Sequence, residues 1–261
     1  MAFIATLGTW FITALGSATV LFLKRPNKNL LNLMLGFSAG VMIAASFWSL
    51  LDPAIKMAEN TFKFPAYIIV TLGFLSGAIF IWISDKAVSY ARQSADDYSN
   101  SYNKRINRVI MLIMSITLHN IPEGLAVGVA FGTLKNSDNS PDMLMGAVSI
   151  AVGIGLQNFP EGAAVSIPLR REGYSRAKSF FFGQASALVE PISGVIGALL
   201  VTKIETILPF ALSFAAGAMI IVAVHELIPE CQQNKHTQPY TATMGIISGF
   251  AVMMLLDVML G

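Results

Sequence analysis

Long apolar segments separated by short polar stretches make up most of this chain of 261 residues. A helix rises 1.5 Å per residue, so about 20 apolar residues cross the roughly 30 Å hydrocarbon layer of a membrane. Eight segments reach that length, at about residues 3–23, 30–51, 65–84, 107–131, 143–169, 178–201, 207–230 and 241–260. The pattern predicts an all-α membrane protein that forms one polytopic domain over residues 1–261, with eight transmembrane helices.

The composition excludes an ordinary soluble domain. Hydrophobic residues make up 54% of the chain and charged residues only 12%, which is about half the charged fraction of soluble proteins. The first apolar segment has no basic residue before it and is too long for a signal peptide, so we expect a retained helix. The single cysteine, Cys231, excludes an intramolecular disulfide.

Lysine and arginine are concentrated in alternate predicted loops: the first, third, fifth and seventh. The positive-inside rule places such loops in the cytosol, and both chain termini on the non-cytosolic side. The net charge of +2 is thus explained by topology. We expect the lipid bilayer as a partner and no nucleic acid.

Two short segments occur twice along the chain. HNIPEGLAV at residues 119–127 is echoed by QNFPEGAAV at 157–165, and FSAGVMI at 37–43 by FAAGAMI at 214–220. Within each pair, the two copies lie on predicted spans that run in opposite directions. Matching segments of opposite topology are typical of inverted-repeat transporters, which bind their ligand where the repeats meet.

The first echo carries polar residues in the middle of membrane spans. Residues three or four apart share a helix face. Each copy therefore presents three polar side chains together: His119, Asn120 and Glu123 in the fourth span, and Gln157, Asn158 and Glu161 in the fifth. His119 lies eleven residues after Arg108, about 16 Å along the helix and near the membrane midplane. The two sets should therefore meet at one depth.

Proline accompanies both sets. Pro122 cannot donate a hydrogen bond to the carbonyl of Leu118, and Pro160 cannot donate to that of Leu156. Freed backbone at membrane depth is tolerated only inside protein or beside a hydrated cavity. The pattern predicts two kinked helices that border a cavity attractive to a cation.

The ligand types narrow the choice of cation. Imidazole, carboxylate and amide oxygens suit Zn²⁺, Fe²⁺ or Mn²⁺ better than Cu⁺. Glu190, in the VEP segment of the sixth span, adds a third carboxylate, although it could also be a structural carboxylic acid. Uncompensated charge in a membrane is costly, so a divalent cation or protons must balance these groups. Met42 could ligate the metal through its thioether or simply pack.

A second polar group lies toward the predicted cytosolic end of the seventh span. His225, Glu226 and Glu230 form either an exit or secondary site, or a hydrated helix end. Asp257 could pair with His225 or remain hydrated. His236 is expected to be a solvated loop residue.

These motifs, together with the span count, resemble the ZIP (ZRT/IRT-like) divalent-metal transporters, and within them the GufA-type branch. The resemblance covers nearly the whole chain and includes HNIPEG, QNFPEG, VEP and the segment AAGAMI followed by HELIPE. It implies a metal site between spans four and five that uses the following residues: Met42, His119, Asn120, Glu123, Gln157, Asn158, Glu161 and Glu190.

The resemblance also implies an activity. Relatives are thought to carry zinc and similar ions, such as Cd²⁺, Fe²⁺ or Mn²⁺, toward the cytosol by elevator-like sliding of helix bundles, often as homodimers. The metal is then a transported ligand, and no cofactor or catalytic residue is expected.

Two departures from the family pattern bear on this expectation. Asn158 stands where many bacterial relatives carry Asp, which leaves open whether the centre holds one metal ion or two. The loop at 85–108 lacks the family's histidine cluster, which argues against metal sensing by that loop.

Two other functions remain open from the sequence. An intramembrane metal-dependent hydrolase would also place His and Glu at depth, but the segment at 225–229 lacks the second His of a His-Glu-x-x-His motif. A proton- or sodium-coupled carrier of a non-metal solute is the other alternative. The expected location is the cell membrane, inner or plasma, and an organelle membrane also fits the loops.

Overall fold

The computed structural model describes residues 1–22, 28–61, 65–97, 101–134, 141–203, 205–232 and 240–260. Within these ranges the chain is helical and contains no strand. The α-helices are α1 (Ala2–Phe22), α2 (Lys28–Ala45), α3 (Asp52–Thr61), α4 (Ala66–Asp97), α5 (Ser101–Thr133), α6 (Pro141–Arg171), α7 (Arg176–Ala185), α8 (Val189–Lys203), α9 (Leu208–Val222), α10 (Ile228–Gln232) and α11 (Thr241–Leu260). The predicted all-α class is confirmed.

Seven helical segments of the described residues are long and apolar enough to cross a membrane. They are Ala2–Phe22, Asn29–Glu59, Ala66–Tyr90, Met143–Arg170, Arg176–Val201, Leu208–Gln232 and Thr241–Met259. They correspond to seven of the eight predicted spans, so the protein is a multi-pass membrane protein.

The fourth predicted span lies within α5, which is a continuous helix but is not among these seven. The count of eight transmembrane helices therefore stays a prediction.

Two of the spans contain a wider, π-helical turn. Residues Ser46–Leu51 connect α2 to α3, and Ala223–Leu227 connect α9 to α10. The number of residues between Ser46 and Ala223 equals that between Phe37 and Phe214, which begin the second echo. The two turns are therefore equivalent positions of the repeat. Such turns are often found at functional sites.

Four helix pairs form the most extensive contacts, and they come in two matching sets. α1 packs on α6 and α5 on α8, while α2 packs on α11 and α4 on α9. In the inverted repeat, the first three spans correspond to the last three, and the fourth span corresponds to the fifth. The α1–α6 pair then corresponds to the α8–α5 pair, and the α2–α11 pair corresponds to the α9–α4 pair. The packing therefore agrees with the predicted inverted repeats.

The same glycine contact occurs in both members of one set. The backbone of α11 at Gly249 lies against the carbonyl of Phe37, and that of α4 at Gly77 lies against the carbonyl of Phe214. A side chain at either glycine would meet the backbone of the neighbouring helix. Small residues let membrane helices approach closely, so these glycines determine the separation of the paired helices.

The helices thus form two groups. The first group contains α1, α5, α6, α7 and α8, and the second contains α2, α4, α9 and α11. The two groups meet where α2 packs on α6 and α5 packs on α4 and α9. The polar motifs of α5 and α6 face this boundary.

The predicted orientation rests in part on residues outside the described ranges. These are Lys24, Arg25, Lys63, Lys135 and Lys235. The loop histidine His236 also lies outside them.

Candidate metal centre

All eight predicted ligands are buried. Exposure of the side chains is 9% for Glu161 and 5% or less for the others. The residues are Met42, His119, Asn120, Glu123, Gln157, Asn158, Glu161 and Glu190. Buried ionisable and amide groups in membrane helices are rare and usually functional.

The two motif copies contact each other directly. Gln157 Nε2 of α6 donates a hydrogen bond to Glu123 Oε1 of α5 at 2.9 Å. α5 and α6 continue as helices through Pro122 and Pro160, which supply no N–H to the preceding turn. The hydrogen bond between Gln157 and Glu123 confirms the prediction that the two copies lie side by side.

Glu161 of α6 forms a hydrogen bond with a residue of the second helix group. Its Oε1 accepts a hydrogen bond from Ser38 Oγ of α2 at 2.9 Å. Ser38 is fully buried and belongs to the FSAGVMI echo. Movement of one helix group against the other would therefore change the surroundings of Glu161.

Glu190, at the start of α8, is held by two other helices. Asn158 Nδ2 of α6 donates to Glu190 Oε1 and Oε2 at 2.9 and 3.0 Å, and Thr9 Oγ1 of α1 donates to Oε2 at 2.5 Å. Sequence reasoning missed Thr9 because it belongs to no motif. A signal was present, since buried hydroxyl residues recur along one face of α1: Thr6, Thr9, Thr13 and Ser17.

His119 faces a separate pair of carboxylates. Its Nε2 lies 3.0 Å from Glu226 Oε1 and 3.5 Å from Asp85 Oδ1. One ligand atom from each residue lies within 4.8 Å of the others, so the three could share one metal ion. The side chains of Asp85 and Glu226 are 17% and 28% exposed, against 5% for His119. The cluster therefore extends from the buried centre toward the surface.

This arrangement divides the predicted secondary group. Glu226 joins His119, whereas His225 and Glu230 are exposed and have no place in the cluster. Asp85 was not predicted as a ligand because the third span was expected to end at residue 84. Its position on the continuous helix α4 brings it to the centre.

Asp257 belongs to a third polar cluster and does not pair with His225. Its Oδ1 accepts hydrogen bonds from Ser49 Oγ at 2.6 Å and Ser149 Oγ at 3.0 Å. Ser49 and Asp257 also line a cavity of about 420 Å³, together with Asp52. Most of the other residues that line the cavity are apolar.

The Asp257 cluster and the Asp85 cluster are related by the repeat. The alignment of Phe37 with Phe214 also aligns Ser49 with Glu226, and that of Gly77 with Gly249 aligns Asp85 with Asp257. Inverted repeats place equivalent residues toward opposite membrane faces. The two repeats therefore carry an aspartate at equivalent positions, although the cavity beside Asp257 is also lined by Lys56, which pairs with Asp52 at 2.7 Å.

Comparison with known proteins agrees with this architecture. A family model described as ZIP Zinc transporter matches residues 1–105 and 91–257, which together span nearly all of the chain. The protein belongs to the ZIP family. The resemblance seen in the sequence is thus confirmed.

ZIP relatives from distant organisms align over most of their length. Zinc transporter ZIP11 of Xenopus tropicalis is 37% identical, with 99% of this chain and 96% of the relative aligned. Zinc transporter ZIPB of Bordetella bronchiseptica is 36% identical over 95% of this chain and 78% of the relative. Zinc transporter GufA of Myxococcus xanthus is 31% identical over 99% and 98%, in keeping with the expected GufA-type relationship.

Proposed function

We propose that this ZIP protein carries divalent metal cations, with a preference for zinc, across its membrane through the centre between α5 and α6. One observation carries the proposal: four buried oxygen atoms of the motif residues accept no hydrogen bond within the described structure. They are Asn120 Oδ1, Glu123 Oε2, Gln157 Oε1 and Asn158 Oδ1. Leaving buried acceptors without partners is unfavourable, and a cation would satisfy them.

In this proposal His119, Glu123, Gln157 and Glu161 bind the ion, while Asn120, Asn158, Glu190 and Met42 adjoin it. Imidazole with carboxylate and amide oxygens suits zinc, and also Cd²⁺, Fe²⁺ and Mn²⁺. Each of the three relatives named above is called a zinc transporter, which supports zinc as the main substrate. The ion is cargo, and the protein acts as a transporter without enzymatic activity.

The two flanking clusters suggest a route. An ion would enter on the side of Ser49 and Asp257, bind at the centre, and leave past Asp85 and Glu226. With the topology expected from the loop charges, both termini are non-cytosolic and the ion moves toward the cytosol. The membrane is then the cell membrane, inner or plasma.

An elevator-type movement fits the division into two helix groups. His119 and Glu123 belong to the first group, whereas Asp85 and Glu226 belong to the second. Sliding of the first group would carry a bound ion past the fixed carboxylates of the second. In this proposal the protein works as a homodimer.

Uptake by the purified protein in proteoliposomes tests the proposal. Radioactive zinc should accumulate inside vesicles that contain the protein, and empty vesicles should remain at background. A protein that is folded in the vesicles yet moves no divalent cation would refute the transport assignment.

The secondary cluster yields a separate prediction. Glu226→Gln should lower the initial rate of zinc uptake about tenfold, because it removes a carboxylate 3.0 Å from His119 Nε2 and thus one charge-assisted ligand. Glu230→Gln, one turn further along the same span, changes an exposed side chain and should alter the rate less than about twofold. Equal losses in the two variants would contradict the placement of Glu226.

A further inference from the structure

The carboxylate of Glu190 is surrounded by hydrogen-bond donors. It is fully buried, and Asn158 Nδ2 donates to both of its oxygens. Thr9 Oγ1 lies within hydrogen-bond distance of Glu190 Oε2 and, at 3.0 Å, of the carbonyl of Thr6, so its single hydrogen serves two acceptors. Asn158 Nδ2 also lies 3.3 Å from the carbonyl of Thr9. The nitrogen of Asn158, and not its amide oxygen, thus points to Glu190, and its two hydrogens face three acceptor oxygens.

The amide nitrogen occupies the place that a bidentate cation would take. It is 2.9 Å from Glu190 Oε1 and 3.0 Å from Oε2, so it sits nearly midway between the two oxygens. A metal ion binds a carboxylate through the same lone pairs. An ion that approached Glu190 from this direction would meet N–H hydrogens, whose partial charge is positive.

Only one of the two repeats contains this arrangement. Asn120, the equivalent of Asn158, donates to the carbonyl of Ser186 at 3.1 Å, and Ser186 is the repeat mate of Thr9. At the position equivalent to Glu190 the other repeat has Thr13. Asn120 and Asn158 therefore contact equivalent backbone carbonyls, those of Ser186 and Thr9. Only Asn158 also contacts a carboxylate, because the other repeat has Thr13 where this one has Glu190.

We propose that Thr9 and Asn158 hold Glu190 as a hydrogen-bond acceptor, so that the centre binds one cation per chain instead of two. The inference rests on the proposed function, because it concerns the same site. Glu190 then connects α8 to α1 and α6 through its hydrogen bonds. Thr9 and Asn158 act as positioning residues that keep the oxygens of Glu190 from the ion.

Replacement of the amide by a carboxylate should reverse this arrangement. Asn158→Asp would place two carboxylates within hydrogen-bond distance of each other, where like charges repel unless a cation lies between them. We therefore expect the purified full-length Asn158→Asp protein to bind one more zinc ion per chain than the wild type. Equilibrium dialysis against radioactive zinc, with protein quantified by amino-acid analysis, measures this difference.

Glu190 must supply the ligand for the additional ion. The double variant Asn158→Asp/Glu190→Gln should return to the wild-type number of ions, since the second carboxylate is gone. If Asn158→Asp does not fold, Asn158→Ala is the second variant. It removes the amide without adding charge, and it should also gain an ion, with lower affinity than Asn158→Asp would give.

Thr9 can be tested in the Asn158→Asp background. Thr9→Val removes the hydroxyl that competes for Glu190 Oε2 and should tighten binding of the additional ion about tenfold, the equivalent of one hydrogen bond to a charged group. Thr9→Ser keeps the hydroxyl and should leave that affinity unchanged. Thr13→Val is the matched control, because Thr13 is equally buried on α1 and donates to the carbonyl of Thr9 on its own helix.

Three results would overturn the proposal. They are equal zinc counts for Asn158→Asp and wild type, an additional ion that persists after Glu190→Gln, or equal effects of Thr9→Val and Thr13→Val. These equilibrium counts are independent of transport. A wild-type protein that binds zinc without moving it would refute the transport function. The difference in bound zinc between Asn158→Asp and wild type would still decide whether Thr9 and Asn158 keep Glu190 from the ion.

Discussion

Glu123→Gln is expected to reduce zinc uptake by about a hundredfold or more. Glu123 is buried between both motif copies, and it offers one oxygen to Gln157 while the other accepts no hydrogen bond in the described structure. The amide keeps the size of the side chain but removes its charge, so a divalent cation loses its central anionic ligand. Initial rates of radioactive zinc uptake into proteoliposomes measure the effect.

Glu59→Gln is the matched control for this variant. Glu59 lies on α3 with an exposed side chain, so the same chemical change there should leave uptake within about twofold of wild type. The melting temperature of Glu123→Gln should confirm that it is folded. Wild-type uptake by a folded Glu123→Gln protein would show that the ion does not pass through this centre.

Gly162→Val is expected to destabilise the protein by about 3 kcal/mol or more. A Cβ at Gly162 would meet the carbonyl oxygen of Thr13 and the backbone nitrogen of Ser17 on α1. These are backbone atoms and cannot rotate away, so α1 and α6 would have to separate. The separation would also displace the neighbouring Glu161. The expected fall in melting temperature is about 10 °C, measured on protein in detergent.

Gly8→Val provides the comparison. Gly8 lies on α1, in the same helix pair, and a Cβ there would have no neighbour within 4 Å. The substitution should change the melting temperature by less than about 3 °C. If both variants melted alike, close approach of the backbones at Gly162 would not be what determines the stability of this pair.

Sequence pattern alone predicted how the two motif copies are arranged. His119, Asn120 and Glu123 were predicted to share a face with one another, and to meet Gln157, Asn158 and Glu161. Both expectations depend on local helical geometry and on the echo between two spans. The hydrogen bond between Gln157 and Glu123 confirms that the two copies meet at this pair. Local periodicity is enough for this because all six residues lie on two helices with matching motifs.

Residues that reach the site from other helices were not accessible in this way. Thr9 and Asp85 lie on α1 and α4 and belong to no motif, and Glu226 could not be distinguished from His225 and Glu230 by spacing. Which residue of a short polar stretch faces inward depends on the wide helical turn Ala223–Leu227. A π turn shifts the helical phase, and regular 3.6-residue periodicity does not predict it.

The sequence by itself determined the membrane class, the ZIP family and the pair of motif helices, because long apolar segments and a repeated polar motif are properties of the chain alone. Only the tertiary structure decided which helices pair, that His119 faces Asp85 and Glu226, and that Thr9 and Asn158 hold Glu190. The physical reason is that these contacts join residues far apart in the chain. They arise where glycine-lined helices pack closely enough for buried polar atoms to find partners across the interface.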